Sequence, residues 1–279
     1  MKLRPEDCLP EDAERAMLVG RAWVPGDHPG PSPVIIRGAD VVDISDTFPT
    51  MSELLNTESI ESKMDDINGT KIGVIDSLLE NSAWHSQDKK HPYLLAPVDL
   101  QAVKACGVTF AQSMLERVIE ERAKGDPSAA QGIRNDIQKV IGLDLESIIP
   151  GSSEAEQLKE VLIKKDMWSQ YLEVGIGPDA EVFTKAQPMS VMGIGAQIGI
   201  LEKSEWNNPE PEITLAVNAR GKILGATLGN DVNLRDIEGR SALLLGKAKD
   251  NNASAAIGPF IRLFDENFSL DDVRMAELS

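Results

Sequence analysis

Residues 209–236 read PEPEITLAVNARGKILGATLGNDVNLRD, and this stretch decides the fold. Glu210 and Glu212 are two positions apart, so on a strand both carboxylates point to the same face. Carboxylates that close repel unless something neutralises them. The strand continues as ITLAV, and NARGK supplies a hairpin turn with Gly221 at its tip. The return strand, ILGATLG, ends at Asn230 and Asp231. A hairpin brings its far end back to its start, so Asp231 approaches Glu210 and Glu212. Three carboxylates at one hairpin mouth form a hard-oxygen site suited to magnesium, manganese or calcium. An octahedral ion with three protein ligands keeps positions open for substrate or water. On spacing alone the alternative is a solvated strand face in an acidic chain.

The next residues extend the constellation. Arg235 lies four positions after Asp231 and can form a bidentate pair with an acidic substrate or a salt bridge to Asp236 or Glu238. Lys247 and Lys249 follow in LLLGKAKDNN, either as surface lysines at a strand end or as a proton carrier beside a cation. Gly258-Pro259 reads as a turn that returns the chain to a strand. The histidines, His28, His85 and His91, lie far upstream in polar loops, which disfavours zinc.

Working outward, Glu173 to Asp265 is glycine-rich and strand-like, with MGIGAQIGIL and ASAAIGPFIRLF as further strand candidates. Residues 111–172 are helical in texture: Phe110, Met114, Leu115, Val118 and Ile119 follow the helical period. EAEQLKEVLIKKDMWSQYL forms a later helix, with Ser153 and Glu154 or Glu156 at a capped start. The first third has strands on either side of Gly38 in VIIRGADVVDI, short helices at MSELLN and IDSLLENS, and a loop or edge strand at YLLAPVD. AVKACG reads as a strand leading into a turn, with Cys106 as a small buried hydrophobe. The expected fold class is α+β: a small N-terminal α/β module over 1–91, then a catalytic domain over 92–279. That domain contains a helical insertion at about 111–172 and an all-β core at about 173–265.

Composition bounds the function. The chain has 279 residues, 42% hydrophobic and 26% charged, enough for a sizeable core. With 45 acidic against 28 basic residues, the net charge is -17. No basic run is present to track a phosphate backbone, which excludes nucleic acid and disfavours an anionic membrane surface. No run of about 18 apolar residues exists to span a membrane. Two cysteines, Cys8 and Cys106, make no disulfide framework, and the charged start lacks a secretory h-region, so a cytoplasmic protein is expected.

The order of these motifs resembles the fumarylacetoacetate hydrolase superfamily over roughly Phe183 to Phe264: the Glu-x-Glu strand, NDV-x-x-RD, a downstream lysine and the closing Gly-Pro. The resemblance implies a rolled, mostly antiparallel β fold with magnesium, or alternatively manganese or calcium, held by Glu210, Glu212 and Asp231. Counting back from Gly258-Pro259 then favours Lys249 over Lys247 as the active-site lysine. Arg235 falls at a substrate-contacting arginine. Upstream, AVKACGVTFAQSMLE lines up with a family segment whose histidine is replaced here by Ser113, with Glu116 at the partner glutamate. Serine cannot replace an imidazole near neutral pH, which argues against C–C hydrolysis.

The segments VFTKAQPMS, LLAPVDLQAVKACGVTFA and GNDVNLRDIEGRSALLLGKAKDNNASAAIGPFIRLFD resemble the sugar-acid dehydratases of that superfamily. The resemblance implies a hydro-lyase that converts a 2-keto-3-deoxy-pentonate to 2,5-dioxopentanoate in pentose breakdown. Proton transfer is assigned to Lys249 or Glu116, and substrate contacts to Arg235, Ser113 and Lys185, the last near the site mouth with Gln187. The alternatives are another family reaction on a keto acid, or an inactive metal-binding fragment. Family members continue into further strands, so a C-terminally truncated chain is expected. A homo-oligomer is expected from the family and from exposed strand edges.

Overall fold

The computed structural model describes residues 2–107, 131–132, 135, 148–164, 166–168 and 170–276. Two compact units are formed, Met1–Val103 with Thr184–Ser279, and Lys104–Phe183.

The larger unit is built on an eight-stranded sheet. Its strands are β1 (Leu18–Val24), β2 (Gly30–Arg37), β3 (Asp40–Asp43), β4 (Thr70–Val74), β5 (Tyr93–Leu95), β9 (Pro211–Val217), β10 (Ile223–Asp231) and β12 (Ala255–Leu263). The order is β4-β3-β2-β1-β12-β10-β9, with β5 pairing β1, and every one of these pairs is antiparallel. Strands from the first 91 residues and from residues 211–263 therefore share one sheet. Two short pairs also form: β6 (Val103–Cys106) with β7 (Val182–Ala186), and β8 (Asn207–Asn208) with β11 (Asn233–Leu234).

Both faces of the N-terminal half of the sheet are covered, which explains its continuous apolar runs. Val19, Ile35 and Val42 face a core shared with Met51, Leu54 and Leu55 of α2 (Met51–Asn56), which follows the one-turn α1 (Pro5–Cys8) in the chain. Their neighbours Leu18, Val34 and Val41 face the other way, onto Ile75, Leu78 and Leu79 of α3 (Ile75–Ser82). Emptying one such site, as in Leu54→Ala, costs about 2–5 kcal/mol. Helix α2 starts at Thr50, whose hydroxyl accepts from Glu53 N at 3.0 Å. The buried Asp99 carboxylate accepts from Met51 N and Ser52 N of the same turn.

The decisive hairpin forms as its residues dictate. Asn218 Oδ1 accepts from Arg220 N and Lys222 N, both at 3.0 Å, and Gly221 sits at φ +78°. Two expectations for the β region differ. Gly258-Pro259 lies within β12, at an irregularity in its register with β10, because pairing resumes on both sides. MGIGAQIGIL is not a strand; it contributes one isolated bridge, Met192 to Ala256. Glycines at 193, 195 and 199 permit close backbone approach there, and Gly195 has φ +77°.

Short helices interrupt the core where the sequence texture suggested strands: α6 (Arg235–Glu238) and α7 (Leu245–Lys249). They pack through Leu234, Ile237 and Ala248.

In the smaller unit, helix α4 (Ser153–Lys164) buries Ala155, Leu158 and Leu162. Its cap is Ser152 rather than Ser153, since Ser152 Oγ accepts from Ala155 N at 3.2 Å. The helix does not run on to residue 172. Asp166 takes φ 54°, a left-handed turn that Asp tolerates, and α5 (Gln170–Ile176) follows. Cys106 is exposed rather than buried, because β6 alternates and turns Val103 and Ala105 inward. Among the described residues no helix is long and apolar enough to cross a membrane.

Candidate functional site

The site grows from the register of β9 against β10. Glu212 pairs with Gly229, Pro211 with Asn230, and Asp231 N donates to Glu210 O at 2.9 Å. Glu210, Glu212 and Asp231 thereby share one face, as alternation requires. A side chain at Gly229, opposite Glu212, would collide with Thr214 Oγ1, so the glycine keeps that face open. Oxygens of the three carboxylates lie within 4.8 Å of one another.

Two lysines enter the cluster from different elements. Helix α7 is anchored by Ala248, and the next residue, Lys249, is thereby turned inward. Lys249 Nζ donates to Glu210 Oε2 at 2.5 Å and to Asp231 Oδ2 at 2.9 Å. Lys185, on β7, reaches Asp231 Oδ1 at 3.1 Å. Its ammonium also donates to Val232 O at 2.9 Å and to Lys249 O and Ser254 Oγ. Lys185, Asp231 and Lys249 are 3%, 5% and 4% exposed, so this is a buried ionic cluster.

The two lysines differ in their electrostatics. Burial works against the Lys249 ammonium, but Asp231 and Glu210 outweigh it and hold its pKa above the ordinary lysine value. Burial dominates at Lys185 and lowers its pKa, with Asp231 opposing. Burial also pushes the Glu212 carboxyl up, and the charge of Asp231 adds to that shift.

The donor set fits a hard divalent cation. Ion-to-oxygen distances are about 2.1 to 2.5 Å, so oxygens that lie within 4.8 Å of one another need only a small inward shift to share one ion. Asp231 Oδ1 is buried and accepts no hydrogen bond, despite its ionic contact with Lys185. Two buried cations against three carboxylates leave negative charge in the cluster, so a divalent ion is electrostatically welcome.

The remaining site candidates fall as follows. Lys185 is buried and joins the carboxylates through Asp231. Gln187 is exposed. Arg235 opens α6 and is exposed, its guanidinium carbon 5.7 Å from the centroid of the Trp206 ring. It makes no salt bridge to Asp236 or Glu238. Asp236 instead accepts from Ser204 Oγ and Glu205 N. Ser113 and Glu116 lie outside the described residues. Sequence reasoning missed Asn233, Glu238, Ser254 and Trp206. The only signal for Asn233 was a polar residue inside NDVNLRD, two positions beyond Asp231.

No protein-family model matches the chain. A stretch of 107 residues is 39% identical to a probable 2-keto-3-deoxyxylonate dehydratase of Haloferax volcanii, covering 38% of this chain and 36% of that one. Over 94 residues it is 40% identical to 2-dehydro-3-deoxy-D-arabinonate dehydratase of Saccharolobus solfataricus, covering 33% and 32%. The chain thus matches these curated relatives over about a third of their length. A solved 2-keto-3-deoxy-D-arabinonate dehydratase, itself complexed with magnesium and 2,5-dioxopentanoate, superposes with a TM-score of 0.55. The superposition spans 90% of this chain and 67% of that one at 21% identity. This chain shares that dehydratase's fold. The chain is therefore similar to such dehydratases over a stretch of about a hundred residues in sequence, and to one of them in fold, which is α+β with a mostly antiparallel sheet.

Proposed function

We propose that this chain is a divalent-metal-dependent hydro-lyase that dehydrates a 2-keto-3-deoxy-pentonate to 2,5-dioxopentanoate. The observation that carries the reading is the carboxylate trio within 4.8 Å, locked by two buried lysines, in the fold of a dehydratase of that substrate class. Glu210, Glu212 and Asp231 are the ligands, and magnesium is the preferred ion, with manganese or calcium as alternatives. Bound there, the ion supplies Lewis-acid polarisation of the carboxylate and keto oxygens of a 2-keto acid.

The chain's own residues do the rest. A C3 proton and the C4 hydroxyl leave as water to give the C3–C4 alkene. Loss of a C5 proton with return of a proton to C3 then gives the C4–C5 enol, which gains a proton at C4 and loses its hydroxyl proton to become the C5 aldehyde. Lys249, held protonated by Asp231 and Glu210, is suited to give a proton to the departing hydroxyl. Glu116 is the candidate to take the C3 proton. Arg235, oriented by Trp206, is assigned to the substrate carboxylate together with Ser113. Lys185 offsets the charge of Asp231. This buried position favours a supporting role over direct substrate contact.

The same proposal places the catalytic domain at 92–279, with 1–91 as an N-terminal module that lends strands to its sheet. A cytoplasmic enzyme is in keeping with two free cysteines. A homo-oligomer is in keeping with the end strand β9, where Leu215 and Val217 are 38% and 48% exposed.

The test is titration with pyruvate, a minimal 2-keto acid, with and without magnesium. Binding only when magnesium is present supports the reading. Magnesium that stabilises the fold without creating pyruvate binding overturns it in favour of a structural ion.

A further inference from the structure

Glu210 is gripped at both oxygens by groups of different kinds. Lys249 takes Oε2, and Asn233 Nδ2 donates to Oε1 at 3.0 Å. The same Asn233 nitrogen donates to Glu238 Oε2 at 2.5 Å. Asn233 is 1% exposed, and its Oδ1 is buried with no hydrogen-bond partner. Its amide is thus oriented entirely by its donor end. A flipped amide would aim its oxygen at two carboxylates, which electrostatics forbids. Backbone pairing fixes the position as well, since Asn233 pairs with Asn208 between β11 and β8.

We infer that Asn233, oriented by Glu238, is the positioning residue that presents Glu210 to the divalent cation; the inference rests on the metal site proposed above. The residue type follows from the charge balance. An aspartate at 233 would repel Glu210. A lysine would add a third cation and compete with the metal. A neutral amide steers one oxygen without subtracting negative charge from the site. Glu238, five residues on at the end of α6, supplies the second anchor that an isolated amide lacks. Outer-shell partners of this kind change metal affinity by about 10–100-fold when removed.

The experiment is calorimetric titration of the full chain with manganese alone, then magnesium alone, alongside thermal unfolding without metal. The variants are Asn233→Ala, Glu238→Ala, Glu238→Gln and Glu212→Gln. Asn233→Ala is expected to weaken binding about 10–100-fold, and Glu238→Ala to weaken it by less. Glu238→Gln is expected to rescue, because its amide oxygen still accepts from Asn233. If Asn233→Ala fails to fold, the partly exposed Glu238 pair decides the matter alone. Wild-type affinity in Glu238→Ala, with Glu212→Gln abolishing binding, overturns the positioning role and leaves the metal site standing. A wild-type chain that binds neither cation overturns both. Equal loss in Glu238→Ala and Glu238→Gln also contradicts the role, since it points to charge and not to orientation.

Discussion

Lys249 Nζ lies 2.9 Å from Asp231 Oδ2, and both side chains are 5% exposed. The two residues are eighteen positions apart, one at the end of a strand and one at the end of a short helix. Their meeting joins the hairpin to the segment that follows it and fills the candidate metal site with opposed charge. Three consequences can be measured.

Replacing Lys249 by Met removes a buried charge and leaves its carboxylate partners under-compensated. Breaking a buried ion pair from one side costs about 3–5 kcal/mol. The metal-free Lys249→Met variant is expected to lose about that much in urea unfolding. Saturating magnesium should recover part of the loss, because the cation restores positive charge among the carboxylates. Equal losses with and without magnesium would detach this lysine from the ion.

Glu212 carries the opposite liability. Burial, with Asp231 beside it, raises its folded pKa above the ordinary carboxylate value. A group whose folded pKa is raised contributes stability that is fully present below the unfolded pKa. That stability is lost as pH rises through the folded value. Without metal, Glu212→Gln should therefore be more stable than the wild type near neutral pH. The gap should close below about pH 4, where the glutamate is protonated in both states. Magnesium should reverse the order at neutral pH, since only the wild type keeps all three ligands. Thermal unfolding across pH in chelator, then in magnesium, checks both signs.

The hairpin tip can be weakened without touching the site. Gly221 has φ +78° and open space where a side chain would go, so Gly221→Ala introduces backbone strain alone. A left-handed non-glycine residue costs about 1–2 kcal/mol. Chemical denaturation should register that loss, while metal affinity changes less than about threefold, an effect below 1 kcal/mol. A large drop in affinity would mean that the turn sets the register at the hairpin mouth more tightly than its local hydrogen bonds imply.

The hairpin was legible because strand alternation, a glycine turn and paired carboxylates are local signals. Glu210, Glu212 and Asp231 could be brought together from spacing alone. The strands flanking Gly38 and the helices at MSELLN and IDSLLENS were legible for the same reason. What spacing could not supply was tertiary. Lys249 looked like a surface lysine until the packing of Ala248 turned it inward. Asn233 gained its role only when Glu210 and Glu238 converged on its nitrogen. Gly258-Pro259 read as a turn because both residues break strands locally, yet pairing with β10 on either side carries the strand through. The smooth apolar rhythm after Glu154 concealed the break at Asp166, which depends on one left-handed residue.

As proposed, the carboxylate trio holds a catalytic cation. The most direct measurement follows aldehyde formation from 2-keto-3-deoxy-D-pentonate by this chain and by Glu212→Gln, each with magnesium and with chelator. Product is expected from the wild type only when magnesium is present, with a loss of at least about a hundredfold, near 3 kcal/mol of barrier, in the variant. Product formed equally in chelator, or by Glu212→Gln at the wild-type rate, would contradict it.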